Sequence, residues 1–414
     1  MRIAFFTHYF HPEGNAPATR VTELTRRWVA AGHDVTVVTG VPNVPDGVVY
    51  EGYRNRPLQR ERHEGVDVIR VWTYLAPNKG TARRILNYVS YMLAAACTGL
   101  FVRRPDVVIA TSPQFFCGWA GVLVSRARRI PFVLEIRDLW PESIEAVGAM
   151  RNRRLLRVLE WLELRMYAAA TRIVTVGEGY REKLVAKGVD PARIDVIPNG
   201  VDLEAFLAGA DGRKVRERYV LGDRFVCAYL GTIGMGCGLE VVLRAARKLR
   251  ESGRDDVRFL LVGDGAVREE LEARARGEGL AEVVFTGRQP KGAMPEFLAA
   301  ADACLVHLTR TELFKTVLPS KIFEAAAMRK PIVLGVEGFA AELVRGAEAG
   351  LCMQPENEDE LLAAVDRLAA DPALARRLGD AGHDRIATRY SYDRLAAEYA
   401  ERLESLLARP APRA

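Results

Sequence analysis

Short apolar runs alternate along this chain with longer stretches whose apolar positions recur every three or four residues, the pattern of buried strands followed by amphipathic helices. In the first half, residues 2–7 read as a strand, 17–31 as a helix with Val21, Leu24 and Trp28 on one face, and 33–39 as the next strand. Further strands are predicted at 66–73, 106–111, 131–136 and 172–176, with helices at 81–103, 115–128, 152–169 and 178–187. The second half repeats the alternation, with strands at 225–230, 258–262, 283–286, 302–307, 331–334 and 350–353. Its helices are predicted at 238–251, 266–278, 292–301, 321–328, 338–347, 358–370 and 372–388. Strand and helix in strict alternation specify parallel sheets covered by helices on both faces, the α/β class.

With 414 residues the chain is long for one core, so two domains are expected. The turn-rich Pro198-Asn199-Gly200-Val201-Asp202 marks the approach to a boundary, placing an N-terminal domain at 1–205 and a C-terminal one at 206–391. A last helix at 392–408, with Leu395, Tyr399, Leu403 and Leu406 on one face, is expected to cross back onto the first domain. Two doubly wound domains of this kind would face one another across a cleft at their strand C-termini.

Composition changes this picture little, but charge placement does. The net charge is +6, and residues 1–205 hold 28 Lys and Arg against 21 Asp and Glu, so the first half carries the whole excess. Such a half suits an anionic partner, either acidic lipid or a phosphorylated substrate, and an Arg-rich genome would produce the same bias. Residues 85–102 are apolar or small apart from Asn87, Ser90 and Thr98, and lie between Arg83-Arg84 and Arg103-Arg104. The stretch reads as a buried or interfacial helix rather than a spanning one. The six cysteines form no C-x-x-C pair, so neither a disulfide framework nor a zinc site is expected. Residues 1–6 read as a first strand, not as a signal peptide.

The segment from Leu318 to Val333 concentrates the chemistry: Pro319-Ser320-Lys321-Ile322 open a helix, Glu324 is a lone acid one turn in, and a buried strand follows. Backbone N–H groups and Lys321 suit a phosphate there, and Glu324 suits a ribose diol. The loop Gly231-Thr232-Ile233-Gly234-Met235-Gly236-Cys237-Gly238 between a strand and a helix holds more glycine than a turn needs and reads as a phosphate nest. No Gly-Lys-Ser/Thr follows it, which excludes a Walker loop. Gly263-Asp264-Gly265 and Gly287-Arg288-Gln289 end two further strands, and the loop backbone at Arg288-Gln289 suits a base edge, with a solvated turn as the alternative. Gly14-Asn15, ahead of the first helix, also let a diphosphate approach backbone, with a plain structural turn as the equal alternative. In Glu135-Ile136-Arg137-Asp138-Leu139-Trp140-Pro141-Glu142 the acids need either neutralisation by Arg137 or exposure, and Asp138 is a candidate acceptor-binding or proton-accepting residue. His8 and His11 at the first strand's end are expected to line a cleft.

These motifs in order, with Pro198 to Asp202, Leu261-Val262-Gly263-Asp264-Gly265, Phe285-Thr286-Gly287-Arg288 and Glu324-Ala325 followed by Lys330-Pro331, resemble glycosyltransferase family 4 over nearly the whole chain. The branch they resemble builds bacterial capsule, O-antigen and exopolysaccharide units. The resemblance implies the GT-B fold and a retaining transfer of a hexosyl or N-acetylhexosaminyl group from a nucleotide-diphosphate sugar, without metal or other cofactor. The acceptor would be a lipid-linked or polysaccharide precursor, met at the cytoplasmic face of an anionic membrane where the enzyme is peripheral. Nucleic acid is not a partner. Donor contacts would come from Gly14, Asn15, Gly231, Thr232, Gly236, Gly238, Arg288, Gln289, Glu312, Lys315, Thr316, Pro319, Ser320, Lys321, Ile322 and Glu324, and catalysis from Asp138, Lys321 and Glu324.

The departures from the family pattern are specific. Members often carry an acid eight positions before the Glu324 equivalent, where this chain has Thr316, so Glu312 or the backbone at Phe314-Lys315-Thr316 would meet the sugar. The usual loop cations are replaced near Thr232 and Cys237, which moves leaving-group stabilisation to Lys321 or Lys315. A frequent histidine after the strand at 106–111 is missing, leaving Ser112 or Gln114. Three rival readings remain: a transferase with a soluble acceptor, a sugar-nucleotide epimerase, and a donor-binding relative of weak catalysis.

Overall fold

The computed structural model describes residues 1–44, 47–76, 81–112, 115–139, 153–207 and 210–408. Pro113, Gln114 and the stretch from Trp140 to Ser143 lie outside them. The chain forms two units, Met1–Pro198 with Tyr392–Ala414, and Asn199–Ser391.

The first unit is built on eight strands: β1 (Arg2–Phe6), β2 (Asp34–Thr39), β3 (Leu58–His63), β4 (Val66–Val71), β5 (Val107–Thr111), β6 (Phe132–Ile136), β7 (Arg172–Thr175) and β8 (Ile194–Val196). Their order is β3-β4-β2-β1-β5-β6-β7-β8, and every pairing except β3–β4 is parallel. Its helices are α1 (Ala16–Ala30), α2 (Thr81–Phe101), α3 (Phe115–Arg128), α4 (Arg153–Ala169) and α5 (Glu178–Ala186). Strands buried on both faces carry apolar residues at nearly every position, as in β1, where Ile3, Ala4, Phe5 and Phe6 are all buried. Ile3, Phe5, Val35, Val37, Val107 and Ile109 share a core with Val21, Leu24 and Trp28 of α1.

The second unit has six parallel strands: β9 (Phe225–Leu230), β10 (Val257–Val262), β11 (Val283–Gly287), β12 (Ala303–His307), β13 (Ile332–Gly335) and β14 (Gly350–Cys352), ordered β11-β10-β9-β12-β13-β14. Around them pack α6 (Leu203–Leu207), α7 (Arg213–Arg218), α8 (Glu240–Glu251), α9 (Arg268–Gly277), α10 (Met294–Ala300), α11 (Lys321–Ala327), α12 (Phe339–Gly346), α13 (Glu358–Ala370) and α14 (Pro372–Gly382). The final helix, α15 (Tyr392–Ala408), belongs to the first unit, where Trp28 Nε1 donates to Ala396 O at 2.9 Å and Tyr399 stacks edge-on against Trp28.

Four elements escape the periodicity. β3 reads Leu-Gln-Arg-Glu-Arg-His, an exposed antiparallel edge strand with almost no apolar signal. β8 has only three residues, and α6 and α7 are too short for a helical period to register. The chain leaves the first unit at Pro198, because Val201 and Phe206 already belong to the second unit's core.

In each sheet the strand order reverses once, beside β1 in the first and beside β9 in the second. Such switch points leave a crevice outside the strand C-termini where ligands bind.

Candidate functional site

In the second unit the switch point lies between β9 and β12, so the loops leaving these strands form its walls. The loop after β9 begins at Gly231, whose φ of +129° is a conformation that side chains rarely adopt. Its N–H donates to Val262 O at 2.8 Å, and Ile233 N–H donates to Asp264 O at 3.0 Å, which ties it to the loop after β10. The fit is close enough that a Cβ at Gly263 would collide with Gly231 O. Among the described residues, no acceptor takes the N–H of Thr232 or of Gly234. Those donors point from a glycine-rich turn, as an anion nest requires.

The opposite wall is fixed by His307 at the end of β12. Its Nδ1 lies 2.7 Å from Cys237 O, and its Nε2 accepts the Glu356 N–H at 2.8 Å. These partners define the neutral tautomer with hydrogen on Nδ1, and burial holds the imidazole below its usual pKa. A Cβ at Gly238 would sit 3.0 Å from the His307 ring and from Thr309, and one at Gly236 would sit 3.0 Å from Phe314. The glycines are therefore packing requirements of this crevice as well as turn formers.

Lys321, the first residue of α11, runs back across this loop. Its Nζ stands 4.9 Å from the Tyr229 ring centroid, and a Cβ at Gly231 would lie 2.9 Å from that nitrogen. Its ammonium group has no carboxylate partner among the described residues. One turn later Glu324 is half-buried, with neither hydrogen bond nor ion pair to its carboxylate among the described residues. Desolvation raises its pKa, against the opposing charges of Lys321 and Lys291.

Pro319 and Ser320 lead into α11, and Ile322 lies in its first turn. Ile322 N–H donates to Pro319 O at 3.1 Å and Phe323 N–H to Ser320 O at 3.0 Å, so these amides are spent on the turn itself. Ile322 is a fully buried core residue.

The remaining candidates are distributed. Arg288 is exposed, 3.8 Å from Asp264, and Gln289 donates to Thr286 O at 2.9 Å and to Tyr219 Oη at 3.3 Å. Glu312 is exposed and pairs with Lys315 at 2.6 Å, while Lys315 also lies 3.8 Å from Glu337. Thr316 donates its hydroxyl to Leu313 O at 2.7 Å, which closes the local turn.

Gly14, Asn15 and Asp138 belong to the first unit. Asn15 caps α1, its Oδ1 accepting the Ala18 N–H at 2.9 Å, while a Cβ at Gly14 would meet open space. Asp138 follows β6; burial raises the Tyr180 phenol's pKa, and the Asp138 charge adds to it. Arg137 feels the Glu135 charge, and Glu135 itself pairs with Arg20. The two are fully buried and 3.1 Å apart, Thr111 Oγ1 donates to the carboxylate at 2.8 Å, and Arg20 also donates to Ile197 O at 2.8 Å and to Pro198 O. His8 is buried among Tyr9, Tyr88 and Tyr91, and desolvation lowers its pKa to about 3, so it is neutral at physiological pH. His11 stacks on His63 at 3.8 Å. Sequence reasoning missed Tyr229, His307 and Arg20, each of which meets a partner far away in sequence.

Two family models cover this chain in the order of its two units: the Glycosyl transferase 4-like domain matches residues 15–200 and Glycosyl transferases group 1 matches residues 213–385. The chain belongs to glycosyltransferase family 4. It is a glycosyltransferase that uses nucleotide sugars. Among relatives in the family, it is similar to the putative colanic acid biosynthesis glycosyl transferase WcaI of Escherichia coli K12, 26% identical over 88% of this chain and 91% of the relative. It is also similar to a GDP-mannose-dependent alpha-(1-6)-phosphatidylinositol monomannoside mannosyltransferase of Mycolicibacterium smegmatis, 32% identical over 73% of this chain and 83% of that protein. The GT-B fold is shared with HepE of Anabaena, solved with UDP-glucose, at 19% identity and a TM-score of 0.73 over 98% of this chain and all of HepE.

Proposed function

We propose that this family 4 glycosyltransferase moves a sugar, with retention of anomeric configuration, from a nucleotide-diphosphate sugar to a lipid-linked or polysaccharide-precursor acceptor at the cytoplasmic face of a membrane. The observation that carries the donor site is Lys321 lying over Gly231, which brings a cation with no carboxylate partner among the described residues to the glycine-rich loop at the sheet's switch point. The diphosphate rests on the Thr232 and Gly234 N–H groups with Lys321 on its oxygens. Glu324, as carboxylate, accepts the ribose hydroxyls. Arg288 and the backbone at Gln289 border the base, and the Glu312–Thr316 turn borders the sugar.

In the transfer the bond between the anomeric carbon and the diphosphate oxygen breaks while the acceptor oxygen bonds to the same face. The acceptor proton passes to the departing phosphate, and Lys321 stabilises the negative charge left there. No metal ion takes part in this reading, and Asp138 of the first unit is assigned to the acceptor. The mannosyltransferase and WcaI relatives, acting by their names on a phosphatidylinositol mannoside and in colanic acid synthesis, support the acceptor class.

A panel of nucleotide sugars screened by thermal shift identifies the donor, because ligand binding raises apparent stability. Transfer to a lipid extract with that donor, with and without EDTA, followed by NMR of the product's anomeric centre, then tests the reaction. A product of inverted configuration, dependence on a metal ion, or transfer to soluble acceptors alone would each overturn its part of the proposal.

A further inference from the structure

We infer that the face of the first unit formed by α2, α3 and α4 docks on a bilayer surface containing anionic lipid. As the place where a lipid-linked acceptor is met, this face rests on the reading above, but the observations that carry it are independent of the donor site.

The distribution of exposed apolar side chains is uneven. Among the described residues, ten of the sixteen large apolar side chains that remain exposed lie on these three helices. α3 packs against both α2 and α4, so the three present neighbouring faces. α2 turns Tyr91 and Ala95 inward, yet its outer stripe is also apolar, running from Leu86 through Leu93 to Phe101, which is 81% exposed. A stripe of that length covers roughly 22 Å of helix. On α4, Val158, Trp161 and Leu164 continue the pattern, with Trp161 55% exposed and the Arg165 guanidinium 5.1 Å above its ring. Loss of this much apolar surface to water is unusual in a monomer unless something covers it.

The charges around the stripe identify the cover. Arg83-Arg84 open α2 and Arg103-Arg104 follow it, Arg126 closes α3, and Arg153-Arg154 open α4. Arg103 pairs with Asp34 at 3.2 Å, but α2 and α3 contain no acid, and of the two on α4 Glu163 is buried against Lys187. An apolar strip rimmed by arginines and holding an exposed tryptophan matches a headgroup boundary, where the rings sit at the interface and the cations meet lipid phosphate. A two-fold pairing of the same face would set these arginine rims against one another. No helix among the described residues is long and apolar enough to cross a membrane, so the stripe lies along the surface.

The test uses the full chain in co-sedimentation with phosphatidylcholine vesicles, with and without phosphatidylglycerol. Binding is expected only with phosphatidylglycerol and is expected to weaken with salt. Phe101→Glu and Trp161→Glu should each lower it at least about tenfold, the scale of one aromatic kept from apolar burial. Val220→Glu, on an exposed residue of the second unit, should leave it unchanged. Donor-induced thermal shift in the same variants keeps the transferase reading separate and also reports folding. Absence of binding to either vesicle, equal binding to both, or a dimer dispersed by Phe101→Glu without vesicle binding would each overturn the inference.

Discussion

Lys321 crosses Gly231 so closely that a Cβ there would stand 2.8 Å from Lys321 Cε and 2.9 Å from Nζ. The glycine is held by two constraints, its φ of +129° and the lysine that lies over it, and the two are separable by mutation.

Gly231→Ala is expected to destabilise the second unit by about 1–3 kcal/mol through backbone strain and to push Lys321 from the loop. Adding Lys321→Ala removes the collision and not the strain, so the double variant should recover only part of the lost stability in a chemical-denaturation series. Full recovery would show that the φ carries no cost.

Lys321→Ala alone should lower kcat by about 10²–10³-fold, the scale for loss of one preorganised stabiliser of transition-state charge. The melting temperature should change little, since the lost contact with Tyr229 is worth about 0.5–2 kcal/mol. Parallel losses of activity and stability would assign the lysine to structure instead.

Glu324→Gln should weaken nucleotide-sugar binding by about 1.5–3 kcal/mol. Burial raises the Glu324 pKa above its usual 4.5, and only the carboxylate can accept both ribose hydroxyls. Donor affinity should therefore fall as pH drops through that raised value, at a pH where an ordinary glutamate is still ionised. The stability contribution has the opposite sign: with folded pKa above unfolded, it is fully present below 4.5 and lost as pH rises through the folded pKa. Isothermal titration across this range in wild type and Glu324→Gln checks both, the variant lacking the acid-side loss.

His8 should make the first unit acid-sensitive. Its folded pKa of about 3 lies below the ordinary imidazole value of 6.5, so its stabilising contribution is complete above 6.5 and lost as pH falls towards 3. The full span is on the order of 4 kcal/mol. His8→Phe should flatten urea-derived stability against pH within that window, and an unchanged slope would refute the assignment.

Arg20 and Glu135 form a fully buried pair that also holds the carbonyls of Ile197 and Pro198. Arg20→Met should cost about 3–5 kcal/mol by stranding the carboxylate, whereas Arg20→Met with Glu135→Leu should cost much less. Losses that simply add in a double-mutant cycle would mean that the pair is uncoupled.

The sequence by itself determined the two α/β sheets, nearly every strand and helix, and the glycine-rich turns, because parallel strands buried on both faces leave dense apolar runs and glycine-rich turns leave a local signature. β3 was illegible for the same reason, since an edge strand of polar residues carries neither signal. Only the tertiary structure decided what Gly231, Lys321 and His307 do, since their roles arise from loops that strand order, not sequence proximity, brings together. It also decided that Arg20 pairs with Glu135 although Arg137 is the nearer in sequence, and that the first unit ends at Pro198. A charge finds its partner through packing geometry, and that geometry is a property of the whole sheet rather than of any segment.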